Sequence, residues 1–331
     1  MRIFVLCLLT LTTMRLLASV NEDAYLALRN GAIGKYTYRV VDDEGSAVAN
    51  VQAHVWFKSY GRPQDKADWI VETDTNGMFT VEHRFNEKFS VWFYKEGYYR
   101  SDDEINYLVM EQLPVKNGQW QPFGRVKNIV LKPIKAPVDV GSFGRCSRLI
   151  PVYDEWIGFD LECQEWMPPF GNGKCPDVLL RFGKSLVHRQ TDYKMTMEVC
   201  FTNNPYAGFY KMKEDAWSER KTVYHADMGA VFLPTEMYIQ ERHPNVAKVD
   251  TRLDNDSYLV FRTRTRIDAE GNLVSAHYGI IRGRWSFFET MLCGGCLFNP
   301  TPNDTNLEDL ETARLSQLRR EQELDREMRN K

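Results

Sequence analysis

At 331 residues the chain is longer than one domain usually is, so two domains are expected, each with room for its own core. A formal net charge of -3, from 42 basic and 45 acidic residues, excludes a general nucleic-acid binder and a polybasic membrane-surface protein. The chain opens with Met1-Arg2 and the apolar run Ile3 to Leu11, then turns polar at Val20-Asn21-Glu22-Asp23. That is the layout of a secretory leader over residues 1–19, cut near Ala18 or Ser19. Arg15 interrupts the run before it reaches the roughly 20 residues needed to cross a bilayer, so a retained membrane span is the weaker alternative. Cys7 sits too early in the run for a lipoprotein.

Within residues 20–34 the spacing predicts a short helix over 22–33, with Ala24, Leu26, Ala27 and Leu28 as helix formers and Gly31 as its stop. From Lys35 the pattern changes to period two, the mark of half-buried strands. Tyr36, Tyr38 and Val40 share one phase, and after the turn Asp42-Asp43-Glu44-Gly45 so do Val51, Ala53, Val55 and Phe57. A strand around Trp69–Thr73 runs into Asp74-Thr75-Asn76-Gly77, where Asn-Gly predicts a tight hairpin. Phe79, Val81, His83 and Phe85 follow in one phase, then Phe89, Val91 and Phe93, and a last strand near Val126–Lys132 precedes Pro133. Short strands divided by turns, with no long helix between them, predict a β-sandwich over 35–134.

The strings Val40-Val41-Asp42, Thr73-Asp74-Thr75-Asn76-Gly77-Met78-Phe79 and Phe93-Tyr94-Lys95-Glu96-Gly97-Tyr98 resemble the carboxypeptidase regulatory-like domain, a transthyretin-like sandwich. The resemblance covers residues 35–134 and implies a small module of extracytoplasmic proteins with no catalytic residues of its own. Ser101–Gly124 departs from it as a long insert.

After a linker at Lys135-Ala136-Pro137-Val138, residues 138–303 are again strand-rich. Tyr193 to Phe201 alternates, and Leu259–Ile267 and Leu273–Phe288 flank a turn at Asp268 to Asn272. Residues 304–331 are rich in Leu, Glu, Arg and Gln without Gly or Pro. They predict a charged C-terminal helix, read as a mobile tail because its leucines keep no heptad register. The fold class expected is all-β: an N-terminal immunoglobulin- or transthyretin-like sandwich, a second β-rich domain and a C-terminal helix.

Six cysteines remain beyond the leader: Cys146, Cys163, Cys175, Cys200, Cys293 and Cys296. In an exported protein they read first as disulfides, with free thiols or a metal site as alternatives. Cys293-Gly294-Gly295-Cys296 is a C-x-x-C, yet no helix opens after it and no second C-x-x-C completes a zinc set. His225-Ala226-Asp227 puts a histidine and a carboxylate on one strand phase, a spacing common on ordinary surfaces. No metal site and no cofactor is read from the chain, and neither a Gly-x-Ser-x-Gly elbow nor a phosphate loop is present.

Two binding surfaces are predicted. Arg262, Arg264 and Arg266 fall on one strand phase and can face a carboxylated or sulfated glycan, against the plainer reading of a solvated strand face. Trp92 and Tyr94 lie opposite Phe89, Val91 and Phe93 and can present rings to a sugar, or pack against another part of the chain. The function expected is a non-catalytic periplasmic or secreted protein that binds a glycan or an envelope protein. A secreted hydrolase with its site in residues 138–303 is the alternative, and a structural envelope component the third.

Overall fold

The structure, a computed structural model, describes residues 22–59, 61, 67–110, 113–141, 146–188, 190–202, 206–288 and 291–330. The leader expected over residues 1–19 lies outside the described residues. The protein is all-β with a C-terminal helix, and among the described residues no helix is long and apolar enough to cross a membrane. The chain divides into two compact units: residues 1–134 with 217–219 and 316–331, and residues 135–216 with 220–315.

The first unit begins with helix α1, residues 22–30. It ends at Gly31, whose φ of +75° suits a residue without a side chain. Among the described residues nine strands follow: β1 (Ala32–Val41), β2 (Gln52–Lys58), β3 (Ala67–Glu72), β4 (Met78–Phe85), β5 (Lys88–Tyr94), β6 (Ser101–Asn106), β7 (Val115–Lys116), β8 (Gln119–Trp120) and β9 (Arg125–Val130). One sheet is ordered β4-β1-β8-β7, with β9 also pairing along β1, and the other is β3-β2-β5-β6. β1 and β9 run parallel from Tyr36 opposite Arg125 to Val41 opposite Val130. The alternation of β1 turns Tyr36, Tyr38 and Val40 onto Phe57, Phe89, Val91 and Phe93, and the rings of Tyr36 and Phe89 stack at 4.3 Å.

The turn at Asn76-Gly77 is not a hairpin. β3 and β4 belong to different sheets, so the turn carries the chain across the sandwich. Among its residues Gly77 alone has a positive φ, +71°, whereas a two-residue type I′ hairpin needs two. A Cβ on Gly77 would stand 2.4 Å from the Val40 carbonyl oxygen, so only glycine fits. Asp74 closes the turn by accepting the N–H groups of Asn76 and Met78.

The insert at Ser101–Gly124 supplies β6, a 3-10 turn over Tyr107–Val109, β7 and β8. β6 and β9 are edge strands of opposite sheets, joined by the Ser101 hydroxyl, which donates to the Val130 carbonyl, and by one carboxylate. Asp103 on β6, 1% exposed, lies 2.6 Å from Lys127 Nζ and 3.0 Å from Arg125 Nη2, both on β9. It also accepts a 2.8 Å hydrogen bond from Tyr38 on β1.

Helix α2 (Leu310–Asn330) is not a free tail: from Ser316 onward it belongs to the first unit. Glu323 reaches His54 Nδ1 at 2.8 Å, Arg326 reaches Asp68 at 2.7 Å, and Arg320 reaches Glu96 at 3.4 Å. Ser316 accepts the N–H of Arg100, and Gln317 donates to the Tyr98 carbonyl. The helix is held by its polar face while Leu310, Leu315 and Leu318 stay exposed, which inverts the usual apolar docking stripe.

The second unit holds β10 (Cys146–Leu149), β11 (Trp156–Asp160), β12 (Glu165–Trp166), β13 (Val178–His188), β14 (Asp192–Phe201), β15 (Gly208–Lys213), β16 (Thr235–Arg242), β17 (Val249–Asp250), β18 (Ser257–Ile267), β19 (Leu273–Phe288) and β20 (Met291–Phe298). Its sheets are β10-β20-β19-β18-β15 and β12-β11-β13-β14-β16-β17. Met195, Met197, Val199 and Phe201 of β14 share a core with Phe261, Ile281 and Leu292 of the other sheet. The other phase of that sheet, with Tyr258, Val260, Tyr278 and Ile280, is covered by Phe232 and Leu307.

Removing one member of a buried, hydrogen-bonded charge group leaves the others unpaired in low dielectric. Asp103→Ala is therefore expected to lower the unfolding free energy by about 3–5 kcal/mol in urea denaturation, and a loss below about 1 kcal/mol contradicts its role as a seam.

Candidate functional site

Beside the Asp103 seam opens a pocket of about 380 Å³, within the range of small-molecule sites. Its deepest polar groups are the hydroxyls of Tyr36 and Tyr107, 2.9 Å apart. Burial pushes the Tyr36 phenol well above its ordinary pKa, with Tyr107 adding to the effect. Burial also raises Tyr107. Both remain neutral phenols near pH 7, so each can donate a hydrogen bond as well as accept one. Tyr107 is braced by Trp120, stacked at 4.0 Å.

Ile105, Val109, Met110 and Pro122 form the apolar part of the wall. Glu104, Asn106, Gln121 and Arg125 bring polar groups into it. Asn106 caps the 3-10 turn through the N–H of Leu108, which fixes Val109 and Met110 at the rim. Asp103 takes Nη2 of Arg125 and so orients the planar guanidinium whose edge lines the pocket. The site thus combines apolar walls, neutral phenols, amides, one positioned cation and the Glu104 carboxylate, which Lys88 pairs at 2.6 Å.

The predicted arginine row does not exist as a shared surface. Register slips between Thr263 and Arg266 against β19, and Arg264 takes a left-handed φ of +50°. Arg262 is buried, donating to the Tyr206 carbonyl with its guanidinium 4.0 Å above the Phe232 ring. Arg264 turns onto three carboxylates: Asp177 at 3.0 Å, Asp160 at 3.2 Å, and Glu162. Arg266 alone is exposed.

Asp177 is fully buried and also accepts from Thr263 and from the N–H of Leu161. Burial pushes its carboxyl up, against the pull of Arg264. Burial also works on Asp160, but the N–H groups of Lys174 and Cys175 outweigh it and hold the carboxyl below its usual range. These carboxylates are consumed by Arg264 and backbone donors. The cavity bordered by Leu161, Gln164 and Cys296 has a volume of about 10 Å³, room for a single water. Convergent acids with space for a substrate, as the hydrolase reading requires, are not what this cluster offers.

Trp92 is half-buried with its ring 5.2 Å from His54, and Tyr94 is buried. His54, the ring beside Trp92, pairs with Glu323 of α2, and the buried Tyr94 displays no ring to a sugar. His225 and Asp227 are exposed, and His225 bonds Thr305 instead of its expected partner.

Cys163, Cys175, Cys200 and Cys296 carry free thiols in this structure. The side chains of Cys146 and Cys293 lie outside the described residues. Cys293 to Cys296 is extended strand within β20, which sets their Cα atoms about 10 Å apart and rules out a disulfide between them. Burial, with a hydrogen bond to Asp160, pushes the Cys163 thiol up to about 11.

No protein-family model matches the chain, and no curated protein matches it. Solved structures with partial likeness include a 3-chlorocatechol 1,2-dioxygenase from Rhodococcus opacus, 14% identical, over 31% of this chain and 60% of that one, at a TM-score of 0.26. A hydroxyquinol 1,2-dioxygenase from Pseudomonas putida is 13% identical over 31% and 57%, at 0.23. A catechol 1,2-dioxygenase from Acinetobacter radioresistens is 13% identical over 32% and 54%, at 0.24. The chain spans less than two thirds of each, and likeness at this level fixes neither fold nor chemistry.

The Cys163 environment has a direct chemical consequence. Only the thiolate is alkylated, and a value of about 11 against an ordinary value near 9 leaves roughly 100-fold less of it at neutral pH. In folded, reduced protein, iodoacetamide is expected to label Cys163 roughly 100-fold more slowly than in urea, with the rate rising up to about pH 11. Equal rates in the two states contradict the placement of this thiol.

Proposed function

We propose that this chain is a non-catalytic binding protein of the cell exterior, and that the Tyr36–Tyr107–Arg125 pocket seats a carboxylated sugar residue of a glycan. One observation carries the reading: a pocket of about 380 Å³ in which a positioned guanidinium, two neutral phenols and two side-chain amides converge between apolar walls, with the Glu104 carboxylate beside them paired to Lys88 at 2.6 Å. A sugar ring presents apolar C–H faces and a rim of hydroxyls, and a carboxylate on it matches the free edge of an arginine. The resemblance of residues 35–134 to carboxypeptidase regulatory-like domains, together with the leader-like start of the chain, supports a place outside the cytoplasm. The pocket replaces the arginine row and the Trp92–Tyr94 face as the ligand surface.

A screen against carboxylated and neutral glycans tests this, read by binding constants for the full chain. Val109 is 76% exposed at the rim, so Val109→Glu places a repelling charge there without disturbing the core. Arg125→Gln is expected to weaken binding of a carboxylated glycan roughly 10- to 100-fold, the loss of one charge-assisted hydrogen bond, and Val109→Glu to weaken it by like-charge repulsion at the rim. No binding of any carboxylated glycan, or binding that Val109→Glu leaves unchanged, refutes the assignment.

A further inference from the structure

We infer that Cys163 and Cys175 are an oxidisable pair that closes into a disulfide across the loop between β11 and β13. The observation is the shared carboxylate of Asp160. Its Oδ1 accepts the N–H groups of Glu162 and Cys163, at 3.0 and 3.3 Å. Its Oδ2 accepts those of Lys174 and Cys175, at 2.8 and 3.0 Å. One side chain therefore clamps the backbones of both cysteines, one in the β11–β12 turn and the other in the segment that leads into β13.

Both thiols lie near the same carboxylate. That of Cys163 hydrogen-bonds Asp160 and lies against the N–H of Lys174, the residue next to Cys175. The thiol of Cys175 sits among Asp177, Arg264 and Asp160. The remaining described thiols are placed elsewhere: Cys200 on β14 and Cys296 on β20 each point at the carbonyl of their own next residue, in different sheets.

The step needs a two-electron oxidant, and a small-molecule disulfide such as oxidised glutathione serves. A thiolate of one cysteine attacks that disulfide and releases one small thiol. The second cysteine then attacks the mixed disulfide and releases the other. Two S–H bonds break, one S–S bond forms, and the two protons and two electrons leave on the two small thiols. Burial raises both protein thiols, so the exchange is slow near neutrality and accelerates with pH. The closed loop fixes Asp160, and through it Arg264, independently of any ligand in the first unit.

Reduced full-length protein is incubated with oxidised glutathione at about pH 8, alkylated, digested without reductant and mapped by mass spectrometry. The expected product is one cross-linked peptide pair joining Cys163 to Cys175, lighter than the two free peptides by two hydrogens, with Cys200 and Cys296 alkylated. Cys200→Ser is expected to give the same link. Alkylation of both Cys163 and Cys175, persistent glutathione adducts on the two, or a link from either to another cysteine overturns the inference.

Discussion

A carboxylate removed from water is costly unless its oxygens are satisfied, and Asp103 meets that condition with a lysine, an arginine and a phenol drawn from the opposite sheet. Because β6 and β9 are edges of different sheets, no ladder joins them, and this cluster does so instead, together with the Ser101 hydroxyl on the Val130 carbonyl. The pocket follows from the same contact. Arg125 is aimed by Asp103, Tyr36 is held one pleat from Tyr38, and Tyr107 follows β6 directly. The burial that deepens the site also keeps its phenols protonated. The groups that line the pocket and those that close the sandwich therefore meet at Asp103.

The second unit solves a similar problem differently. Asp177 and Asp160 are enclosed, and one guanidinium with several backbone N–H groups satisfies them. Arg264 reaches them only because the strand bulges and its backbone turns left-handed. In both units the acid is the hub and the cation the spoke, but in the second the cation is spent entirely on protein.

Much of the fold was legible in the sequence. The strands around Tyr36, Val51, Phe79, Phe89 and Tyr193 show plain alternation because one face of each is apolar core. The site was not. β7 and β8 have two residues each, too short for any period to register. Asp103 hides in an Asp-Asp-Glu string that reads as solvated surface, although Ser101, Asp103 and Ile105 share a phase and a charge at that phase was the available signal. The arginine row failed because a bulge is invisible to a count of every second residue. The docking of α2 was missed because leucine spacing, the usual guide, marks its exposed side.

The polar docking of α2 also bears on how the protein is made. A ribosome delivers residues 1–134 early, yet the segment that covers His54 and Tyr94 is translated only after all of residues 135–315. Until then His54 lacks Glu323 and Asp68 lacks Arg326 in the nascent chain. The helix is drawn on by charge pairs, which orient at longer range than apolar contact. The charge pairs that hold α2 to this unit therefore form only after the rest of the chain has been translated.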